Sequence, residues 1–355
     1  MRAAVMRNRE LVVDHIDAPV PSAGEVLVKT LACGICGSDL HALKHAHTMN
    51  EMSDSAFKMD LSRDIVMGHE FCAEVLDFGP GTSKALKAGD RVCSVPITVR
   101  GGGSLSVGYS DLVPGGYSEQ MVLFEPLLLK VPNGLSTDLA ALTEPMAVGY
   151  HAVMKAGVQP GEVPLVIGCG PVGLAVILAL KTLGIGPVVA ADFSPARRKL
   201  AETVGADVVV DPAKSSPYEA WEHLASKDEN GADIPPNPLT GGLTFRNGVY
   251  FECVGVPGVI DAMMKGAKRG CRIVVVGVCM EQDHILPLTG IGKELAMQFV
   301  LGYTPEEFAA TLHNIAEGKL SVEPLITGRV GIEDVPQAFH DLADPEKHAK
   351  ILVIP

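Results

Sequence analysis

The sequence predicts an α/β protein of two domains, one built on a doubly wound parallel sheet and the other rich in β-strands. Three observations carry this expectation. The first is the turn Gly168-Cys169-Gly170-Pro171-Val172-Gly173, set between an apolar strand-like run and a helix-like run. The second is the alternation of such runs from about residue 160 to residue 295, as successive βαβ units require. The third is the contrasting texture before about residue 150, where short β-like runs follow one another between Gly and Pro punctuation.

In that N-terminal region, residues 25–29, 72–76, 90–93 and 119–123 read as strands. Residues 163–167 read as a buried strand, and the helix after them opens on Pro171, a residue suited to the first helical position. A second apolar run, 188–191, leads to Asp192, about 20 residues past the last glycine of the turn. Together these elements form a dinucleotide fingerprint. The glycines permit a tight turn and close approach of a pyrophosphate, and the helix start offers free N–H groups to its charge. An acid at position 192 accepts the ribose hydroxyls. Ser194-Pro195 caps the next helix, and strands follow at 207–211, 249–252 and 272–276. Residues 228–247 read as an inserted surface loop. Thr304-Pro305-Glu306-Glu307 is a capping box that starts a helix to about Glu317. The tail, ending in the apolar run 351–354, resembles the first region in texture, so the chain is expected to return there.

Composition narrows the class of function. With 47% apolar and 20% charged residues the chain is an ordinary globular protein, and a net charge of −13 argues against a nucleic-acid partner. Residues 163–180 carry no charge, but their glycines and prolines break them into strand, turn and helix, so no membrane span is expected. Eight cysteines behind a start that lacks the apolar core of a signal peptide point to reduced thiols and a cytoplasmic location.

Upstream of the glycine turn stand Gly34-Ile35-Cys36-Gly37-Ser38-Asp39-Leu40-His41 and Gly68-His69-Glu70, and further on Thr143-Glu144-Pro145. A thiolate, an imidazole and a carboxylate from separate loops suit a zinc ion with one position open for water or substrate. Singly, each of these residues is more often a packed thiol or a loop histidine; the combination is what points to metal. Cys33 lies in an apolar run with no second CxxC in the chain and reads as core. His45 and His47, near Met49 and Met52, read as mostly solvated. The segment 43–64, with Met49, Met52, Phe57 and Met59, reads either as an apolar mouth or as a Met-rich core helix.

These motifs, with Gly89-Asp90-Arg91-Val92, Gly115-Gly116-Tyr117-Ser118-Glu119, Lys293-Glu294-Leu295 and the closing Lys350-Ile351-Leu352-Val353, resemble zinc-dependent medium-chain alcohol dehydrogenases over nearly the whole chain. The sorbitol, threonine and archaeal glucose dehydrogenase branch is the most similar, because it also has a Glu-Pro element where Glu144-Pro145 stands. The resemblance implies a Rossmann domain at residues 151–296. It also implies a GroES-like catalytic domain at 1–150, completed by 297–355, with the active site in the cleft between. The implied reaction is reversible oxidation of an alcohol to an aldehyde or ketone, with hydride transfer to NAD. Cys36 and His69 are then zinc ligands, Glu70 and Glu144 are candidates for the third, and Asp39 orients His69. Zinc lowers the pKa of the alcohol, while Ser38 and His41 relay its proton to solvent.

Gly168, Gly170, Pro171, Val172, Gly173, Asp192, Arg197 and the strand end Val276, Gly277 and Val278 are assigned to the cofactor. A carboxylate at 192 repels a 2′-phosphate, which favours NAD over NADP. Arg197 is expected along the adenosine and Arg198 on a solvated helix face. Two departures from the family pattern bear on function. Residues 92–120 hold only Cys93 where many relatives carry four cysteines, so one catalytic zinc and no structural zinc is expected. Leu301-Gly302-Tyr303 stands where polyol-oxidising relatives tend to have Phe-Arg-Tyr, which weakens a sorbitol-like substrate. Similar enzymes are dimers or tetramers, so a homodimer or homotetramer is expected. Two rivals share the fold: a zinc-free quinone or enone reductase, and a nucleotide-binding protein without turnover. The Cys36/His69 pair argues against the first, and Ser38 and His41 against the second.

Overall fold

The computed structural model describes residues 1–52 and 58–355. Phe57 and the side chain of Met52 lie outside the described residues. The chain forms two compact units, one of Met1–Pro145 with Pro305–Pro355 and the other of Met146–Thr304.

The first unit is organised by the long strand Glu25–Gly34, whose Val26, Val28, Thr30 and Ala32 are buried while Lys29 is exposed. That period-two burial is what a strand with one face on a core dictates. It pairs antiparallel with Glu70–Phe78, Gln120–Phe124 and the final strand Lys350–Val353. The core beneath includes Val5, Val28, Met67, Val75 and Met121, and Cys33 is part of it, fully buried. The helix Gly37–Met52 follows, with non-helical backbone at His45. Met59 is buried in this core and Met49 packs against it, so both serve packing. The stretch that reads as poor in cysteine forms a hairpin, Ile97–Arg100 with Gly103–Ser106. The Arg100 guanidinium makes two bonds to the fully buried Glu25 carboxylate, Nε to Oε1 at 2.9 Å and Nη2 to Oε2 at 2.8 Å.

The second unit holds a six-stranded parallel sheet in the order Val208–Val210, Val189–Ala191, Val163–Ile167, Gly248–Glu252, Arg272–Val275, Ala296–Phe299. The chain starts at the third position, winds to one edge, then returns to wind to the other: the expected doubly wound sheet. Pro171–Thr182 is buried continuously from Gly173 to Leu180, so its nearly unbroken apolar sequence belongs to the interior rather than to a lipid phase. Among the described residues no helix is long and apolar enough to cross a membrane.

Two helices, Thr137–Ala141 and Thr143–Ala156, occupy a region that reads as β-rich. The first is capped by Ser136, whose hydroxyl accepts from the Leu139 N–H, and the second tolerates Pro145 because that residue sits in its opening turn.

Candidate functional site

The strand Glu25–Gly34 ends where three segments meet: Gly34 is the register partner of both Glu70 and Leu352. A Cβ at Gly34 would collide with the Glu70 carboxylate. Cys36 follows in the turn ahead of the helix Gly37–Met52, and His69 follows Gly68, whose φ of +98° and contacts with Tyr117 and Cys33 leave no place for a side chain. This convergence brings Cys36 Sγ, a ring nitrogen of His69 and a Glu70 carboxylate oxygen within 4.8 Å of one another. Atoms bound to one zinc ion at about 2.0–2.3 Å stand a little closer than this, so small side-chain adjustments would bring the three into its reach.

Asp39 organises the centre from behind. Fully buried, its Oδ2 accepts from the Cys36 N–H at 3.1 Å and the Tyr117 hydroxyl at 2.6 Å. Its Oδ1 lies 2.9 Å from the Tyr109 hydroxyl and 3.4 Å from His69 Nδ1. Burial alone would raise the Asp39 pKa, but His69 and the two tyrosines hold it below the ordinary value. Burial likewise pulls His69 down, and the negative charge of Asp39, then Cys36, more than reverses this, leaving it well above the usual imidazole range. A field that favours a proton on His69 also favours a divalent cation there. His69 Nδ1 is buried without a hydrogen bond. A metal held through the other nitrogen would leave the proton on Nδ1, where Asp39 stands. On this chemistry the residues fit a zinc ion.

Lys350 is the participant that sequence reasoning missed. Its ammonium, 1% exposed, bonds both Glu70 oxygens at 2.7 Å and the Ile35 carbonyl at 3.0 Å. Burial lowers its pKa, and Glu70, Cys36 and Glu144 together outweigh that and raise it. The signal was present: a lysine opening an otherwise apolar terminal strand needs a buried anion. Glu144, in the first turn of Thr143–Ala156 and 9% exposed, is outside the three-residue cluster, and its charge reaches Lys350. Ser38 Oγ lies 2.8 Å from the Tyr109 hydroxyl. His41 is half-buried, and burial, then His45 and Lys44, lower its pKa.

In the second unit the glycines divide their labour. Gly168 has φ of +93°, and a Cβ at Gly173 would overlap the Gly168 carbonyl, so both are demanded by the protein itself. A Cβ at Gly170 would meet only the Arg197 guanidinium, at 3.9 Å. The space kept open there suits a cofactor pyrophosphate, beside the start of the helix Pro171–Thr182 that carries Val172. Asp192 Oδ2 accepts from the Cys169 N–H at 2.7 Å and Oδ1 from the Ser194 N–H at 2.8 Å, leaving each oxygen a further lone pair. Burial and the Asp192 charge push the Cys169 thiol up to about 12. Arg197 Nε is buried with no hydrogen bond, an orphaned donor beside the loop. Arg198 is not on a solvated face: only 15% of its side chain is exposed, and it holds the carbonyls of Asp192 and Phe193 and the Asp211 carboxylate. Val276, Gly277 and Val278 directly follow the fifth strand of the sheet, Arg272–Val275; Gly277 and Val278 line a cavity of about 220 Å³ with Glu252 and Gly255.

The family described as "Alcohol dehydrogenase GroES-like domain" matches residues 22–133, and the one described as "Zinc-binding dehydrogenase" matches residues 171–317. (R,R)-butanediol dehydrogenase of Bacillus subtilis is 32% identical across the whole of both chains. The chain belongs to the zinc-dependent medium-chain alcohol dehydrogenases. Sorbitol dehydrogenase of Bos taurus is 30% identical, over 96% of this chain and 94% of its own. The crystal structure of 2R,3R-butanediol dehydrogenase from Bacillus subtilis superposes with a TM-score of 0.82 at 30% identity, covering 100% of this chain and 99% of that one. This dehydrogenase is thus an oxidoreductase acting on CH–OH groups, with a GroES-like fold and a nicotinamide-binding Rossmann sheet.

Proposed function

We propose that this dehydrogenase oxidises a small secondary alcohol, most suitably one hydroxyl of a vicinal diol, to the ketone with NAD as hydride acceptor, using a single zinc ion. The observation that carries the reading is the cluster of Cys36, His69 and Glu70, backed by the buried Asp39. Butanediol dehydrogenase is similar over its full length, whereas Leu301-Gly302-Tyr303 departs from the pattern of polyol-oxidising relatives. In this reading Cys36 and His69 hold the metal, with Glu70 as third ligand or its close neighbour and Glu144 near it. A zinc ion so held supplies Lewis acidity, which makes the alcohol proton easier to lose.

The chain's own groups do the rest. Ser38 receives the proton and His41, whose environment keeps it a neutral acceptor, passes it to solvent. The glycine turn, with Pro171 and Val172, seats the pyrophosphate, and Gly277 with Val276 and Val278 borders the nicotinamide. Arg197 supplies its unused donor, and Asp192 takes the ribose hydroxyls, favouring NAD over NADP. Cys93, fully buried with its thiol on the Ala140 carbonyl, is committed to packing, which supports the absence of a structural zinc.

Two copies of the chain associate through the free edge of the parallel sheet. Phe299 and Leu301 are 68% and 80% exposed there, with Leu286, Leu288 and Ile291 exposed in the same unit. An apolar strand with an unpaired edge is stable in water when a second copy covers it. The cysteines are all free thiols, in keeping with the cytoplasm.

A panel of vicinal diols, simple secondary alcohols, primary alcohols and hexitols, each with NAD and with NADP, tests the reading through absorbance of the reduced nicotinamide. Vicinal diols with NAD are expected to give the highest kcat/KM. Turnover confined to hexitols, or faster with NADP, contradicts it.

A further inference from the structure

We infer that Tyr109 is a positioning residue for the proton relay: its hydroxyl bridges Ser38 and the Asp39 carboxylate and fixes the direction in which the Ser38 hydroxyl points. This rests on the relay role proposed above for Ser38. The Tyr109 oxygen lies 2.8 Å from Ser38 Oγ and 2.9 Å from Asp39 Oδ1. A phenol has one proton to donate, and a carboxylate can only accept. At 2.9 Å from Asp39 Oδ1 the Tyr109 hydroxyl must be the donor, so its proton goes to Asp39. The 2.8 Å contact with Ser38 is then a bond in which Ser38 donates and Tyr109 accepts. The Ser38 proton is pinned toward the protein interior, and its lone pairs are what it presents elsewhere.

The local backbone makes this placement firm. Tyr109 follows Gly108, where φ is +91° and a Cβ would press on the Gly68 carbonyl at 2.9 Å. The loop can approach the Gly68-His69 peptide only because that side chain is missing. Tyr109 is 5% exposed, and its ring sits 5.2 Å from the His69 ring, centroid to centroid. One side chain therefore touches the imidazole, the carboxylate behind it and the relay hydroxyl at once. In the reaction the alcohol's proton passes to Ser38 Oγ as the proton that Ser38 had given to Tyr109 turns away and leaves on the His41 side, so Ser38 is a neutral hydroxyl before and after. Tyr109 and Asp39 hold the same protons before and after. The contribution of Tyr109 is orientation: Ser38 meets the alcohol already turned as an acceptor.

The test is a double-mutant cycle of Tyr109→Phe and Ser38→Ala, with kcat, KM and bound zinc measured for all four proteins. Tyr109→Phe is expected to lower kcat about tenfold, below the usual span for a direct proton-transfer group, with zinc content and alcohol KM nearly unchanged. In the Ser38→Ala background the same change is expected to cost nothing further, because its target is gone. Equal losses in both backgrounds, an unchanged kcat, or a loss that follows loss of zinc overturn the proposal. A ring-fluorinated tyrosine at 109 keeps the shape and weakens the oxygen as acceptor, so the cycle can be read even if the phenylalanine variant folds poorly; the same non-additivity is expected. A wild-type protein that oxidises no alcohol contradicts the underlying function, whereas an active one with an additive cycle contradicts only the role of Tyr109.

Discussion

Lys350 and Glu70 form a buried ion pair at the floor of the Cys36, His69 and Glu70 cluster, at 1% and 0% exposure. Two charges taken from water are tolerable when each satisfies the other, and costly when one is left alone. Lys350→Met therefore strands the Glu70 carboxylate and should destabilise the first unit by about 3–5 kcal/mol. Adding Glu70→Gln should recover most of that loss. Denaturant unfolding of the two variants checks this, and a lysine variant as stable as the parent contradicts it. The meeting of Cys36, His69 and Glu70 was legible because each stands in a conspicuous glycine-flanked motif and the three side chains together suit one cation. Lys350, Tyr109 and Tyr117 were not, although Lys350 and Tyr117 lie in motifs the sequence displays openly. A lone tyrosine carries no sign of what it faces, and a lysine in an apolar strand calls for an anion without saying which; strand register brings that partner. Arg198 shows the reverse failure: a charged helix residue reads as solvated, and the Asp211 carboxylate drew it back.

At the scale of elements, the hairpin Ile97–Arg100 with Gly103–Ser106 is fastened by charge in a region where many relatives are expected to use a metal. Arg100 grips Glu25 with two bonds, and Thr98 adds a third at 2.7 Å. Burial would raise the Glu25 pKa, but Arg100, the Ser22 N–H and Thr98 outweigh it and hold it below 4.5. A depressed folded-state pKa gives stability that is fully present above pH 4.5 and is lost as pH falls through the folded value. Glu25→Gln should flatten that acid limb of the stability profile. Arg100→Ala at neutral pH should cost about 3 kcal/mol, the lower end for a broken buried pair, because water reaches the arginine side. Thermal unfolding across pH measures both, and an Arg100→Ala protein that melts like its parent contradicts the account. Nothing in the sequence joined these two residues, 75 positions apart. The glycine turn and its flanking strand and helix, by contrast, are contiguous, and local chemistry sufficed to read them.

For the whole molecule, the parallel sheet was readable from alternating apolar runs, since each βαβ step is local in sequence. The helices Thr137–Ala141 and Thr143–Ala156 were not, because Gly and Pro punctuation around them suggested strands. The exposed edge Ala296–Phe299 carries the proposed pairing of two copies. Phe299→Asp places a charge on that edge and should convert the dimer to a monomer in light scattering after gel filtration, with secondary structure retained. An unchanged mass would move the interface elsewhere.

Metal content bears on the account more directly than any rate. Zinc determined by mass spectrometry on the purified protein should come to one ion per chain, and Cys36→Ser should abolish it together with alcohol oxidation while NAD still binds. Two ions per chain, or a serine variant that keeps its zinc, would contradict a single centre built on Cys36 and His69.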